Sequence, residues 1–182
     1  ALDDAIQAVA LSDPTPGDAL VLMAAHDAAA PRSLVTDVWA RRILRWQRDD
    51  GHWLTSDFRP PHSSSAFTAT ATAIRALALF LPQALDRERA IALARARTWF
   101  REHAPRSTED AAFRVMGMAW AGATTADVAQ ARRDLLALRR SDGGWPQLPG
   151  YASDAYSTGE ALVALRTAGV EPTDKAVRRA VT

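Results

Sequence analysis

A short signature occurs twice in the chain and limits what it can fold into. The first copy, QRDDGHW, spans residues 47–53, and the second, RRSDGGW, spans residues 139–145. Each copy follows an arginine-rich amphipathic segment and precedes a loop that leads into a much more apolar segment. Because this order of segments recurs, the sequence predicts a repeat of helical hairpins that bury their apolar faces against one another.

The segments before the loops are predicted to be amphipathic helices. In each of them, apolar residues at helical spacing lie opposite a row of arginines, which is typical of a helix with one face in solvent. They span residues 33–48, 86–103 and 126–140. Residues 2–11 and 173–182 have the same character. We expect all of them to lie in an outer layer.

The segments after the loops are apolar on nearly all sides. Residues 64–81 carry one charge, Arg75, and residues 17–30, 107–122 and 155–169 are similarly apolar. A helix of this kind must be covered on most of its surface. We therefore expect an all-α array of helical hairpins with an inner and an outer layer.

The sequence accounts for four hairpins and the start of a fifth at residues 174–182. We interpret residues 1–182 as a single repeat domain and expect the natural chain to continue, or the array to be open at this end.

Trp99 lies 46 residues from both Trp53 and Trp145 but follows no Asp-Gly pair. The period is therefore loose, and the hairpin around Trp99 is expected to turn at Pro105.

Composition excludes several classes of function. The formal net charge is +1 and the arginines are spread along the helices, so no clustered basic surface for nucleic acid is expected. The chain has no cysteine, which removes disulfides, thiolate metal sites and thiol nucleophiles. No apolar run approaches the roughly 20 residues of a transmembrane helix. The sequence does not distinguish a cytoplasmic protein from an exported one whose signal peptide has been removed.

The repeated signature has a structural interpretation of its own. Gly51 and Gly143 stand where a helix end turns into the left-handed region, which glycine adopts without a Cβ penalty. Trp53 and Trp145 can then fold back over that helix end, and covering a ring of this size contributes about 2–4 kcal/mol. We expect the motif to act as a packing staple.

The spacing of Gln47, Gly51 and Trp53 resembles the QW repeat of squalene–hopene cyclases and their relatives with prenyltransferase/squalene-oxidase-type repeats. The second copy keeps Gly143 and Trp145 but has Arg139 in place of the glutamine. Other stretches between residues 41 and 170 resemble uncharacterised bacterial members of this group more than established cyclases. The resemblance implies an α/α toroid, here a partial or open ring, with inner helices around a central cavity.

The same resemblance raises the question of cyclase chemistry. Class II triterpene cyclases use an Asp-x-Asp-Asp motif before an inner helix, because protonating an alkene needs a strong acid held neutral in a dry cavity. The corresponding frame here is Asp154-Ala155-Tyr156-Ser157, which keeps only the first acid. Asp154 is thus a weak catalytic candidate, and we expect it to cap a helix instead.

Two further chemistries were considered. Zinc-dependent prenyltransferases bind the metal through Asp, Cys and His, and the four scattered histidines here form no such set, so we predict no metal and no cofactor. An (α/α) glycosidase needs two carboxylates across a cleft. Glu109, Asp110 and Asp154 begin inner helices and could approach one opening, although acids in a first turn also complement the helix dipole.

Candidate ligand-binding residues lie in two regions of the sequence. Aromatic and methionine side chains of the inner segments are expected in part to face the cavity, namely Phe67, Phe113, Met116, Met118, Trp120 and Tyr156. The loop of residues 54–63 contributes Phe58, Arg59 and His62, and we expect it to lie with residues 146–154 at the entrance.

The leading hypothesis is a repeat domain that binds an apolar or isoprenoid-like molecule, or a peptide, in its concave lumen without the usual cyclase acid. One alternative is an active class II cyclase whose acid lies outside this segment. Another is an interaction scaffold whose open ends form a homodimer or dock on the rest of a longer chain.

Overall fold

The computed structural model describes residues 14–56 and 64–178. Within these ranges the backbone is helical apart from loops, a 3₁₀ turn at Gln83–Leu85 and an isolated bridge between Pro146 and Ser153. The helices in chain order are α1 (Pro14–Asp27), α2 (Leu34–Arg45), α3 (Ala66–Phe80), α4 (Asp86–Glu102), α5 (Thr108–Trp120), α6 (Thr125–Ala137), α7 (Ala155–Thr167) and α8 (Lys175–Arg178). The expected all-α class is confirmed. The segment predicted at residues 2–11 lies outside the described residues.

The helices form two layers. Helices α1, α3, α5 and α7 pack side by side in that order. Helix α2 packs against α1 and α3, α4 packs against α3 and α5, and α6 packs against α5. The apolar helices are thus the inner row and the arginine-bearing helices cover them from outside, which is the arrangement of an α/α toroid-type array.

Alanine allows the inner row to pack closely. On α3 the side chains of Ala69, Ala71, Ala73 and Ala76 are fully buried, together with Ile74 and Leu77. A helix buried on so many faces gains little from amphipathicity, and its stability depends on close contact with its neighbours. This explains why the sequence of α3 has almost no polar face.

Side chains at the helix starts set where the inner helices begin. The hydroxyl groups of Ser65 and Ser107 accept backbone N–H bonds at the N-termini of α3 and α5, and Asp154 does the same for α7. Asp18 lies inside α1, which begins at Pro14. Its buried carboxylate accepts two hydrogen bonds from Arg42 of α2, at 2.7 and 2.6 Å.

The hairpin of α4 and α5 differs from the others, as the loose period predicted. Trp99 lies inside α4 and is buried. The chain then turns at residues 103–107, through Pro105, without a long connection. The strict spacing of the three tryptophans therefore does not reflect three equivalent positions.

Candidate ligand-binding groove

The two tryptophans of the signature occupy equivalent places. The indole N–H of Trp53 donates to the carbonyl of Ile43 at 2.7 Å, and the backbone N–H of Trp53 donates to the Thr70 hydroxyl at 3.0 Å. Trp145 forms the same two bonds, to the Leu135 carbonyl at 2.8 Å and to the Thr158 hydroxyl at 3.0 Å. Each ring is fully buried. Each tryptophan thus joins the end of an outer helix to the following inner helix.

The glycines of the signature take the left-handed backbone conformation, with φ of 104° at Gly51 and 96° at Gly143. At Gly51 the space is also closed, because a Cβ there would lie 2.5 Å from the Arg95 carbonyl oxygen. The Gln47 amide donates to the carbonyls of Gly51 and Ala92, at 2.9 and 2.8 Å. It therefore ties the first loop to α4.

The second copy lacks this glutamine. The guanidinium carbon of Arg139 lies 6.0 Å from the centre of the Trp145 ring, within cation–π range. The signature thus uses a different contact at this position, while the bonds of the tryptophan itself are the same.

A groove of about 570 Å³ runs across the inner row. Helices α1, α3, α5 and α7 all contribute to its walls, which are mostly apolar. The lining residues are Leu20, Met23, Thr72, Phe113, Met116, Trp120, Ala155, Tyr156, Gly159, Glu160 and Val163. A groove of this size and character is typical of a site for an apolar small molecule.

The structure brings together four of the predicted ligand-binding residues and separates the others. Phe113, Met116, Trp120 and Tyr156 line the groove. Phe67 does not, because its ring packs in the core against Trp99 and Phe100, with centroids 4.8 and 5.9 Å apart, and Met118 is buried there as well. Phe58, Arg59 and His62 lie outside the described residues.

The starts of three inner helices meet at one end of the groove. The Ser65 hydroxyl of α3 donates to Asp110 of α5 at 2.6 Å. The Thr108 hydroxyl of α5 donates at 2.6 Å to the carbonyl of Pro146, in the loop before α7. A smaller pocket of about 190 Å³ opens there, and Tyr156 lines both it and the groove.

Acidic side chains gather around Tyr156. Burial raises the pKa of Glu160 to about 7, a hydrogen-bonding interaction with the Tyr156 side chain lowers this pKa, and the charges of Glu109 and Asp154 raise it further. Burial also raises the pKa of Glu109, and Asp110 adds to this effect. The pKa of Tyr156 is raised in turn by burial and by the neighbouring carboxyl groups. This end of the groove is thus acidic and poorly solvated.

Three polar atoms of this cluster form no well-aligned hydrogen bond with the described residues, namely the Tyr156 hydroxyl, one carboxylate oxygen of Glu160 and one of Glu109. The side chains of Tyr156 and Glu160 interact with each other, and Glu109 interacts with Ser64 and Thr68. Buried polar atoms are nearly always paired in folded proteins, so three poorly paired ones in one place need an explanation.

Glu160 was missed by the sequence analysis. It is the only carboxylate in the apolar segment 155–169, and that isolation was the signal that could have singled it out. Asp154, which precedes the helix, has a capping role, since its carboxylate accepts from the backbone N–H of Ser157 at 2.8 Å and from the Ser157 hydroxyl at 3.1 Å.

The other carboxylates considered for catalysis also have structural partners. Asp110 accepts from Ser65 and from the backbone N–H of Arg106 at 2.9 Å, so both its oxygens are bonded. Two histidines, His52 and His103, stack on the Trp99 ring at 5.2 and 4.5 Å. In residues 14–56 and 64–178, no three His, Asp or Glu side chains are grouped to hold a metal ion.

The comparisons with known proteins agree with this architecture. Residues 107–182, which form α5 to α8 and include the second signature, match the family model of the squalene-hopene cyclase N-terminal domain. This part of the chain is therefore similar to the squalene-hopene cyclase N-terminal domain. The chain's resemblance to the prenyltransferase/squalene-oxidase repeat group is confirmed, and it contains a terpenoid-cyclase-like repeat domain. No curated protein and no solved structure matches it.

The part of the chain that precedes residue 107 repeats one structural feature of the matched part. Trp53 and Trp145 form the same two hydrogen bonds, although only the second lies inside the match. Of the helices that the structure describes, none has the length and apolar character needed to cross a bilayer.

Proposed function

We propose that this terpenoid-cyclase-like domain binds an apolar, isoprenoid-like molecule in the groove of the inner row. The observation that carries the proposal is the apolar lining drawn from all four inner helices. Val163 is 58% exposed in this groove, and Trp120 and Met116 form part of its walls. Covering such surface with an apolar ligand is favourable by about 25 cal/mol per Å².

The volume of the groove suits a small molecule better than a folded partner. Its value of about 570 Å³ falls within the range of ordinary ligand pockets. Its lining includes Phe113, Met116 and Trp120, which are spread over two turns of α5, so a chain-like ligand can contact all three. Since the acid motif of the cyclases is reduced to a capping Asp154, the proposal concerns binding and includes no turnover.

Titration with farnesol, followed by tryptophan fluorescence, tests this proposal. Trp120 lines the groove, so saturable binding should change its emission. The variant Val163→Asp places a charge in the groove at an exposed position and should weaken binding at least tenfold. The control Ile91→Asp changes a similarly exposed residue, 51% accessible on outer helix α4, and should bind within twofold of the parent.

Absence of saturable binding, or equal weakening by both variants, would contradict the proposal. Saturable binding of an apolar peptide with no binding of farnesol would assign the groove to peptides instead. Both variants change exposed sites, so their thermal unfolding should match that of the parent and serves as a check on folding.

A further inference from the structure

The position of Glu160 is not explained by the fold. Its side chain lines an otherwise apolar groove, and one carboxylate oxygen is buried without a well-aligned hydrogen bond to the described residues. Burying a carboxyl group without partners is costly, so a position of this kind is retained only where something offsets the cost. In the described residues Glu160 interacts with the Tyr156 side chain, one turn earlier on the same helix, and does not join two helices as Asp110 does.

Helix dipoles do not account for Glu160 either. Asp154 is the N-cap of α7 and Glu109 lies in the first turn of α5, where acids are stabilised by the helix N-terminus. Glu160 lies in the second turn of α7, beyond the range in which this effect is strong. The helix N-terminus therefore does not offset the cost of burying the ionised form of Glu160.

Glu109 is a second carboxylate close to Tyr156. It is buried, with a residue exposure of 8%, and it lines the small pocket next to Tyr156. The side chains of Ser64 and Thr68 interact with it, but one of its oxygens forms no well-aligned hydrogen bond within the described part of the chain. Glu160 lines the groove, Glu109 lines the small pocket, and Tyr156 lines both.

The arginines of the four groove helices are placed elsewhere. Arg75 of α3 stacks on Trp120, 5.6 Å from the ring centre, at the opposite end of α5. Eleven residues, or about 16 Å of helix, separate Trp120 from Glu109. Arg114 donates to the Phe100 carbonyl and to Asp134, at 2.8 Å each, and Arg166 pairs with Glu171.

The titratable residues that line the groove are Tyr156 and Glu160, both on α7. From the neighbouring elements, Glu109 of α5 and Asp154 of the preceding loop act on them, and all of these charges have the same sign. The groove therefore has an acidic end without a counter-ion from the described arginines of its own helices, and an apolar body.

We propose that the acidic end of this groove binds the ammonium group of an amine-bearing isoprenoid, with Glu160 as its counter-ion and the apolar tail directed toward Trp120. This inference rests on the proposed function and names the class of ligand for the same groove. An ammonium group carries both the charge and the N–H donors that the poorly paired oxygens lack. Since no three ligand side chains are grouped for a metal in the described residues, a small cation alone fits less well.

Isothermal titration with geranylamine and geraniol at pH 8 tests the inference. The two probes share one apolar chain, and the amine is cationic at this pH because primary amines have pKa values of about 10. The parent protein should bind geranylamine at least tenfold more tightly than geraniol. The variant Glu160→Gln should lose this preference while it binds geraniol within about threefold of the parent. Glu102→Gln, an exposed change on α4, should keep the preference.

A second measurement needs no variant. Binding of geranylamine at pH 7 should release protons, because a cation beside Glu160 favours its ionised form and the pKa of this group is about 7. Titrations in two buffers with different heats of ionisation detect that release. Geraniol should release none.

The outcomes separate the two proposals. If geraniol binds but geranylamine binds no better, or if the preference survives in Glu160→Gln, the ammonium site is wrong and the apolar groove stands. If neither probe binds, both proposals fail. Binding of geranylamine without proton release would also contradict the role of Glu160.

Discussion

The indole nitrogen of Trp53 lies 2.7 Å from the carbonyl oxygen of Ile43, ten residues earlier in the chain. Trp145 and Leu135 repeat this relationship at 2.8 Å and at the same separation. Because a tryptophan of this kind covers the end of one helix and binds the next through its backbone N–H, it fixes how an outer helix is followed by an inner one. The repeat is therefore a unit of packing as well as of sequence.

Trp53→Phe and Trp145→Phe should each lower the free energy of unfolding by about 1–3 kcal/mol. Each change removes a buried indole donor, leaves a backbone carbonyl without its partner and opens a small cavity. Denaturant unfolding measures the loss. Trp46→Phe, at a partly exposed ring, serves as the control and should cost less than either. Equal losses at all three positions would contradict the role of the staple.

Gly51→Ala should be far more destabilising than Gly150→Ala. Both glycines have positive φ, 104° and 91°, so both alanine variants incur the backbone penalty of roughly 1–2 kcal/mol. A Cβ at Gly51 would in addition lie 2.5 Å from the Arg95 carbonyl oxygen, whereas the space at Gly150 is open. We expect a loss of about 3 kcal/mol or more at Gly51 by denaturant unfolding. Similar losses in the free energy of unfolding for the two variants would contradict this prediction. They would show that α4 can move away from a Cβ at position 51 without cost.

Gln47→Ala should lower the free energy of unfolding by about 1–3 kcal/mol. The change leaves the carbonyls of Gly51 and Ala92 without the amide that joins them. Gln130→Ala is the matched control, because Gln130 binds Asp134 on an exposed helix face and should contribute less than about 0.5 kcal/mol. Thermal and denaturant unfolding of the two variants should differ clearly; an equally small effect for Gln47 would be evidence against the bridge.

The stability of the unliganded protein should depend on pH through Glu160. Its pKa is raised from 4.5 to about 7, so folding favours the protonated form. The folded state then holds a proton that the unfolded state has lost between these values, and stability falls as the pH rises from about 4.5 to 7. Glu160→Gln lacks this contribution.

The contribution of Glu160 is measured by comparing the free energy of unfolding of the parent with that of the variant Glu160→Gln at several pH values. The free energy of unfolding of the parent minus that of Glu160→Gln should fall between pH 5 and pH 8, by on the order of 1 kcal/mol once solvent screening of a partly accessible group is allowed for. Other acids with shifted pKa values, such as Asp18, are present in both proteins and cancel. A difference that does not change with pH would mean that Glu160 is well solvated.

Much of the fold could be predicted because each outer helix has a single apolar stripe. The segment predicted at residues 33–48 forms α2 at Leu34–Arg45, and the apolar segment 64–81 forms α3 at Ala66–Phe80. The order of outer and inner helices was predicted correctly for the same reason. The left-handed conformation of Gly51 and Gly143 was also predicted from sequence, because glycine adopts a positive φ without a Cβ penalty.

The sequence by itself thus determined the two helix types, their alternation and the turn chemistry that joins them. The tertiary structure decided which inner side chains face the groove, with Phe113 in its wall and Phe67 in the core. It also decided that Asp154 caps a helix while Glu160 lines the groove. The reason is that a helix apolar on all sides has no periodicity to distinguish its open face from its packed ones, and only its neighbours define that face.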